Sequence, residues 1–205
     1  MSCKMPPPPL SPAMLHPYSY DGNLDALSNH ILCVALFNTT DSLKHTTPLP
    51  GDVNAAKGVE MLQGHVFFIQ FNPHMIKYEA IDKPMDPEPQ LPTDRGLHGV
   101  AAPKCYQVTD KVHALPAGLW DSDVVSTYEF INLEKGVFIR IRSPLNTIME
   151  TVWTIQEKKG GGGYELIEDV VIKCSRLLVG VIRNTCEGTW RGIHEKMVAE
   201  MQKES

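Results

Sequence analysis

Five stretches in the second half of the chain read as strands: Lys104 to Leu115, Asp123 to Leu133, Gly136 to Ser143, Thr147 to Glu157 and Tyr164 to Lys173. In a strand, successive side chains point to opposite faces of a sheet. Turn chemistry bounds each stretch: Pro116-Ala-Gly118, Glu134-Lys-Gly136, Pro144, and Gly160 to Gly163. Successive strands joined by short loops build an antiparallel meander. The period then changes. Leu178, Ile182, Cys186, Trp190, Ile193, Met197 and Met201 recur at helical spacing, which predicts an amphipathic helix capped by Ser175 and running to about Gln202. Arg183, Glu187, Arg191, Glu195 and Glu200 mostly fall off that stripe. A sheet and a helix with one apolar side each bury those sides against each other, so the fold class is α+β.

The first half is harder to read. Residues 1–22 are Pro-rich and form a tail, leaving 23–205 as one domain. Ile31 to Phe37 is a short apolar element, strand or helix. Thr46-Thr-Pro-Leu-Pro50 ends whatever precedes it, and Asp52 reads as the N-cap of a helix over 53–63. Gly64 breaks that helix. The apolar run His65 to Phe71 ends at Asn72-Pro73, because a residue before proline avoids the helical region. His74 to Ile81 alternates as a strand. Residues 82–103 carry five prolines and read as a long loop, with a lid as one expected role.

Turn length fixes register, and register fixes facing. With Glu134-Lys135 as a two-residue loop, Phe130 pairs with Ile139 and Tyr128 with Ile141 on the concave face, beside Val124 and Ser126. Glu129 then pairs with Arg140 and Thr127 with Arg142 on the other face. Those arginines are either an anion site or part of a solvated outer face with one cross-strand ion pair. With Lys158 to Gly163 as the next loop, Trp153 pairs with Glu168, Ile155 with Leu166 and Thr151 with Val170, all inward. Glu168 is then a carboxyl in an apolar neighbourhood, where desolvation makes a neutral acid or a base. A slip in the glycine loop would instead turn it to water. Asp110 shares a strand face with Tyr106 and is a second inward carboxyl, or a structural group at a β-bulge.

Composition removes several functions. The formal net charge is −5, without a basic patch, so nothing recruits nucleic acid. The cysteines at 3, 33, 105, 174 and 186 make no C-x-x-C pair and read as free thiols in a reducing cytoplasm. The longest early apolar run falls far short of the roughly 20 residues that span a bilayer, and no signal peptide is readable. His65 reads as a core histidine, with the pocket as its alternative. No metal spacing, nucleophile elbow or dinucleotide fingerprint occurs, so no metal and no cofactor is expected.

The order of elements resembles the helix-grip fold of START-like and Bet v 1-like proteins, and within them a fungal family. Phe71-Asn-Pro73, Val108-Thr-Asp110, Leu115-Pro-Ala-Gly-Leu119 and Glu168-Asp169 carry the resemblance, over roughly residues 41–203. It implies an apolar cavity between sheet and helix for a hydrophobic small molecule. Members are carriers of lipids, or cofactor-free cyclases, isomerases and pericyclases of natural-product pathways. On that footing the expected site has Glu168 and Asp110 as catalytic carboxyls. Tyr106, Tyr128, Phe130, Thr151, Trp153, Ile182, Cys186 and Trp190 are the expected substrate-binding residues. The Pro-rich tail, the 22–40 segment and the 82–103 loop depart from the fold's core and are expected to reshape the pocket mouth. The expected activity is that of a cyclase or isomerase, a Diels–Alder-type pericyclase included, acting on a terpenoid or polyketide. The alternative is a binding or transfer protein.

Overall fold

Edge-to-edge pairing of seven strands makes one antiparallel sheet in the computed structural model, which describes residues 38–82, 87–113 and 121–203, without the side chains of 112, 113, 121 and 122. The chain divides into two units, Met1–Leu36 and Phe37–Ser205, and the described residues belong to the second. The tail, the 31–37 run and the 116–118 turn lie outside them.

Strand β1 is Asn38–Pro48. Helices α1 (Ala55–Leu62) and α2 (His65–Gln70) follow, then β2 (Met75–Ile81) and a 3-10 turn at Thr93–Arg95. The meander is β3 (Lys104–His113), β4 (Asp121–Leu133), β5 (Gly136–Ser143), β6 (Thr147–Glu157) and β7 (Tyr164–Ser175), and α3 (Arg176–Lys203) closes the chain. The sheet order is β1-β7-β6-β5-β4-β3-β2.

One segment of the first half gains an element, and one expectation there is corrected. The segment before Pro48 is a full strand, paired with β7 from Asn38↔Ser175 to Pro48↔Glu165. The N-cap of α1 is Asn54, not Asp52: the Asn54 side chain accepts from the Ala56 and Lys57 amides. A cap two residues later starts the helix two residues later.

The registers read from turn length are those of the structure. Leu133 pairs with Gly136, Phe130 with Ile139 and Tyr128 with Ile141; Trp153 pairs with Glu168 and Thr151 with Val170. Concave positions of β3 to β7 meet α1, α2 and the C-terminal half of α3 in one core, centred on Leu62, Ile69, Phe130, Leu166, Met197 and Met201. The N-terminal half of α3 packs Leu178, Ile182 and Cys186 against Leu43, Val170 and Ile172. Gly136 sits at the tight end of the β4–β5 hairpin, and a Cβ there would overlap the Trp153 carbonyl. Gly136→Ala is expected to lower stability by about 1–3 kcal/mol, read from a denaturant titration; an unchanged midpoint would mean that the hairpin end is not tight.

The convex face corrects a second expectation. Ile131, Leu133, Phe138 and Val152 point outward, yet they are buried under Leu91 and Leu97 of the long loop. The described part of that loop, 87–103, therefore lies over the back of the sheet and not across the pocket mouth. Arg140, expected in solvent, is 9% exposed. Its guanidinium donates to Glu129 at 3.2 Å, Glu150 at 2.8 Å and the Gln90 carbonyl at 2.9 Å. Arg142 and Lys173 complete the network on Glu129 and Glu150. These are structural ion pairs, and neither arginine is among the residues that line the cavity.

Candidate functional site

A cavity of about 270 Å³ lies between the concave face and α3. Phe68, Phe71, Trp153 and Trp190 form its aromatic walls, and Ile139, Ile141 and Met149 its aliphatic floor. Two carboxyls face it, Glu168 from β7 and Asp110 from β3.

Glu168 is inward by strand parity, and its neighbours come from both ends of the described chain. Its Oε2 lies 2.7 Å from His45 Nδ1 on β1 and 3.7 Å from His194 Nε2 on α3. With Glu168 as a carboxylate, which only accepts hydrogen bonds, His45 Nδ1 is the donor in that contact. His45 stacks on Trp190 with ring centroids 4.6 Å apart and planes 5° from parallel. His194 Nδ1 meets the Thr47 hydroxyl at 2.8 Å, and its ring packs against Trp153. Both histidines are buried, at 5% and 1% exposure, and each leaves its Nε2 without a hydrogen bond.

Asp110 belongs to a different group. Its Oδ1 accepts from Asn72 Nδ2 at 2.9 Å and its Oδ2 from the Tyr128 hydroxyl at 3.1 Å. The register of β2 shifts at this point, between Met75 and Lys77. The bulge foreseen near Asp110 is therefore there, but on the partner strand, and the carboxyl bonds side chains, not backbone. Burial pushes the Asp110 carboxyl up, against the Tyr128 hydrogen bond and the nearby His74 that pull it down. Burial, then the adjacent Asp110, raises the Tyr128 hydroxyl far above the phenol range, so Tyr128 stays a neutral hydrogen-bond donor. Cys186 also faces the cavity, and burial, helped by Glu168 and Glu187, pushes its thiol up to about 11. It is thus no thiolate nucleophile near neutral pH.

The Asp110 shift has a sign that can be checked. A carboxyl raised on folding favours the folded state most at low pH, and the folded state loses that advantage as pH rises through the raised value. Asp110→Asn removes the dependence. Relative to wild type, the variant should therefore gain stability between pH 3.8, the ordinary carboxyl value, and neutrality. Melting curves over that range test this, and a constant difference would refute it.

Of the residues expected from the sequence, Glu168, Asp110, Tyr128, Thr151, Trp153, Cys186 and Trp190 line the cavity together. Tyr106, Phe130 and Ile182 are not among its lining residues. Tyr106 and Phe130 pack edge to face with each other, and Ile182 belongs to the core of β1 and β7. His65 is a core histidine: it stacks on Phe130 and bonds Asn132 at 2.7 Å, and burial lowers its basicity. His45, His194, Asn72 and Thr47 were missed. His194 lies between Trp190 and Met197 on the apolar stripe, which was a readable signal. Among the described residues no group of three His, Cys, Asp or Glu is placed to hold a metal, and no helix is long and apolar enough to cross a membrane.

A family model described as "Domain of unknown function (DUF7053)" matches residues 38–203. No curated protein matches the chain in sequence. Among solved structures, the di-domain ARO/CYC StfQ from the steffimycin biosynthetic pathway is similar with a TM-score of 0.50 at 9% identity, over 88% of this chain and 54% of its own. Human STARD10 gives 0.48 at 13% identity over 79% and 63%. Ara h 8.0201 gives 0.43 at 12% over 81% and 99%. The chain thus spans about half the length of StfQ, and likeness at these identities concerns the fold alone: a curved sheet closed on a long C-terminal helix, the helix-grip fold.

Proposed function

This chain belongs to the DUF7053 family, and we propose that it is a cofactor-independent cyclase or isomerase acting on a hydrophobic terpenoid or polyketide. The carrying observation is that two carboxyls with unlike partners face one aromatic cavity. Glu168 is held by imidazole nitrogen, and Asp110 sits behind a neutral phenol. Environments that differ in this way assign a base and an acid.

In this reading Glu168 removes a proton from a carbon next to a substrate carbonyl. The C–H electron pair becomes the C=C bond of an enol, and the Tyr128 hydroxyl, backed by Asp110, donates to the carbonyl oxygen. Glu168 then returns the proton at another carbon, which is isomerisation, or the enol carbon closes on a second carbonyl, which is cyclisation. The aromatic walls hold the reactive conformer and lower its entropic barrier. That effect alone also serves a pericyclic step of the Diels–Alder type. Fungal natural-product chemistry is the setting that the sequence resemblance suggests, and free thiols at Cys105, Cys174 and Cys186 support a cytoplasmic one.

The second reading is a binding or transfer protein for lipid-like ligands. The predominance of apolar lining favours it, as does the fact that each carboxyl already has protein partners. Native mass spectrometry of the purified protein should show a co-purified apolar molecule. That molecule, returned to fresh protein, should emerge as an isomer or with one water fewer. Stoichiometric release of the unchanged molecule would leave the carrier reading standing.

A further inference from the structure

We propose that His45 is the positioning residue of this site: it fixes the Glu168 carboxylate as a base toward the cavity and couples that base to Glu187 on the outer side of the helix. The proposal rests on the reading of Glu168 as the base.

The observations lie along one line through the imidazole. His45 Nδ1 donates to Glu168 Oε2 at 2.7 Å. On the far side of the ring, Nε2 lies 3.5 Å from Glu187 Oε2, a distance at which it makes no hydrogen bond. A buried imidazole with one edge on a cavity carboxyl and the other toward a half-exposed carboxyl is not a packing necessity. A leucine or phenylalanine of similar volume would fill the space without leaving an orphaned nitrogen. The parallel stack on Trp190 fixes the plane of the ring, and the face of an indole stabilises the imidazolium form as well as the neutral one.

The other groups around the ring are few. On β1, Asp41 is taken by Arg183, at 2.7 Å. On α3, Arg183 also reaches Glu187 Oε1 at 3.8 Å, His194 faces Glu168 Oε2 at 3.7 Å, and Cys186 is a neutral thiol. On β7 there is Glu168. The ring thus has a carboxyl at each edge, Glu168 at 2.7 Å and Glu187 at 3.5 Å. His45 itself is not among the cavity-lining residues, so its role runs through Glu168.

The test uses nitrobenzisoxazole, a small planar probe that opens when a base removes its ring C–H proton. The proton goes to the base, the C–H pair forms the nitrile, the N–O bond breaks, and the coloured cyanonitrophenolate leaves. Wild type, Glu168→Gln, His45→Asn and His45→Phe are compared across pH. Asparagine keeps a donor near Nδ1 but cannot carry charge. Its plateau rate should therefore stay within about threefold of wild type. Phenylalanine keeps the stack on Trp190 and loses the donor. Its plateau should fall by about tenfold or more, the effect of losing one hydrogen bond to a charged group.

A Glu168→Gln variant as fast as wild type overturns the base itself. A slow Glu168→Gln with His45→Phe and His45→Asn both tracing the wild-type profile overturns only the positioning role. A second measurement is independent of turnover. The Nδ1–H proton resonance of His45, assigned by its loss in His45→Asn, should be displaced in Glu168→Gln and in Glu187→Gln, since each changes the carboxyl at one edge of the ring. A resonance unmoved by either substitution overturns the proposal.

Discussion

Glu168→Ala is expected to lower turnover of the protein's own substrate by roughly 10² to 10³-fold, the usual effect of removing one group that acts in the transition state. The sequence alone leaves Glu168 as a buried carboxyl beside an indole, which as a neutral acid would lose little on conversion to glutamine. The His45 contact changes that expectation. With Nδ1 at 2.7 Å, the carboxyl has a partner that suits it as an anion, and in the proposed reading it is the proton acceptor. Glutamine cannot accept a proton, so Glu168→Gln should lose about as much as Glu168→Ala. Glu168→Ala also strips the buried His45 ring of its partner, which costs about 1–3 kcal/mol of stability, so rates belong well below the variant's melting temperature. Equal turnover of wild type and Glu168→Ala would dispose of the catalytic role and leave the carrier reading ahead. A Glu168→Gln variant that keeps most of its activity would instead restore the neutral-acid reading.

The largest loss of stability is expected away from the cavity. Glu129 is 2% exposed and accepts from Arg140 and Arg142 on the convex face. Glu129→Ala leaves a buried guanidinium short of an anion, a change that typically costs about 3–5 kcal/mol. The lower end, about 3 kcal/mol, is expected because Arg140 keeps Glu150 at 2.8 Å. Burial alone would raise the Glu150 carboxyl, but its bonds to Lys173 and Arg140 outweigh burial and hold it below its ordinary 4.5. A carboxyl lowered on folding stabilises above its unfolded value, and that contribution disappears as pH falls through the folded one. The protein should therefore lose stability steeply below about pH 4.5, and Glu150→Gln should flatten that fall. Denaturant titrations measure both, with Glu79→Ala on the exposed β2 strand as a control within about 0.5 kcal/mol. A Glu129→Ala loss under 1 kcal/mol would mean that water reaches Arg140 as readily as the sequence suggested.

What was legible follows from what carries periodic information. The β4–β5 and β6–β7 registers follow from loop length because a strand has a parity, and parity assigned Glu168 and Trp153 to one face before any coordinates. Strand β1 escaped because its inward positions are mostly polar. In Asn38–Pro48 the residues facing α3 and the cavity core include Asp41, Leu43, His45 and Thr47, three of which serve as hydrogen-bond partners to Arg183, Glu168 and His194. A strand that contributes partners instead of oil has no hydrophobic pattern to read; the run of β-branched threonines around Leu43 was the remaining signal. The convex face failed for the opposite reason. Ile131, Leu133, Phe138 and Val152 are apolar at outward positions, and that excess was itself a sign of cover. Arg140 and Arg142, two residues along, drew the reading toward solvent.

The pairing of β1 with β7 has a consequence in time. His45 and Glu168 are 123 residues apart, and strands β2 to β6 lie between them in sequence. Closing so long a segment has an entropic cost that only the finished sheet edge and the docked α3 can offset. Hairpins β4–β5 and β6–β7 can form locally, while the carboxyl–imidazole pair has to wait for the first and last strands to pair. During refolding, strand content should therefore return before probe turnover does. A lag between circular dichroism and nitrobenzisoxazole opening in a stopped-flow experiment would time the arrival of β1. Simultaneous recovery would mean that the chain collapses onto that edge from the start.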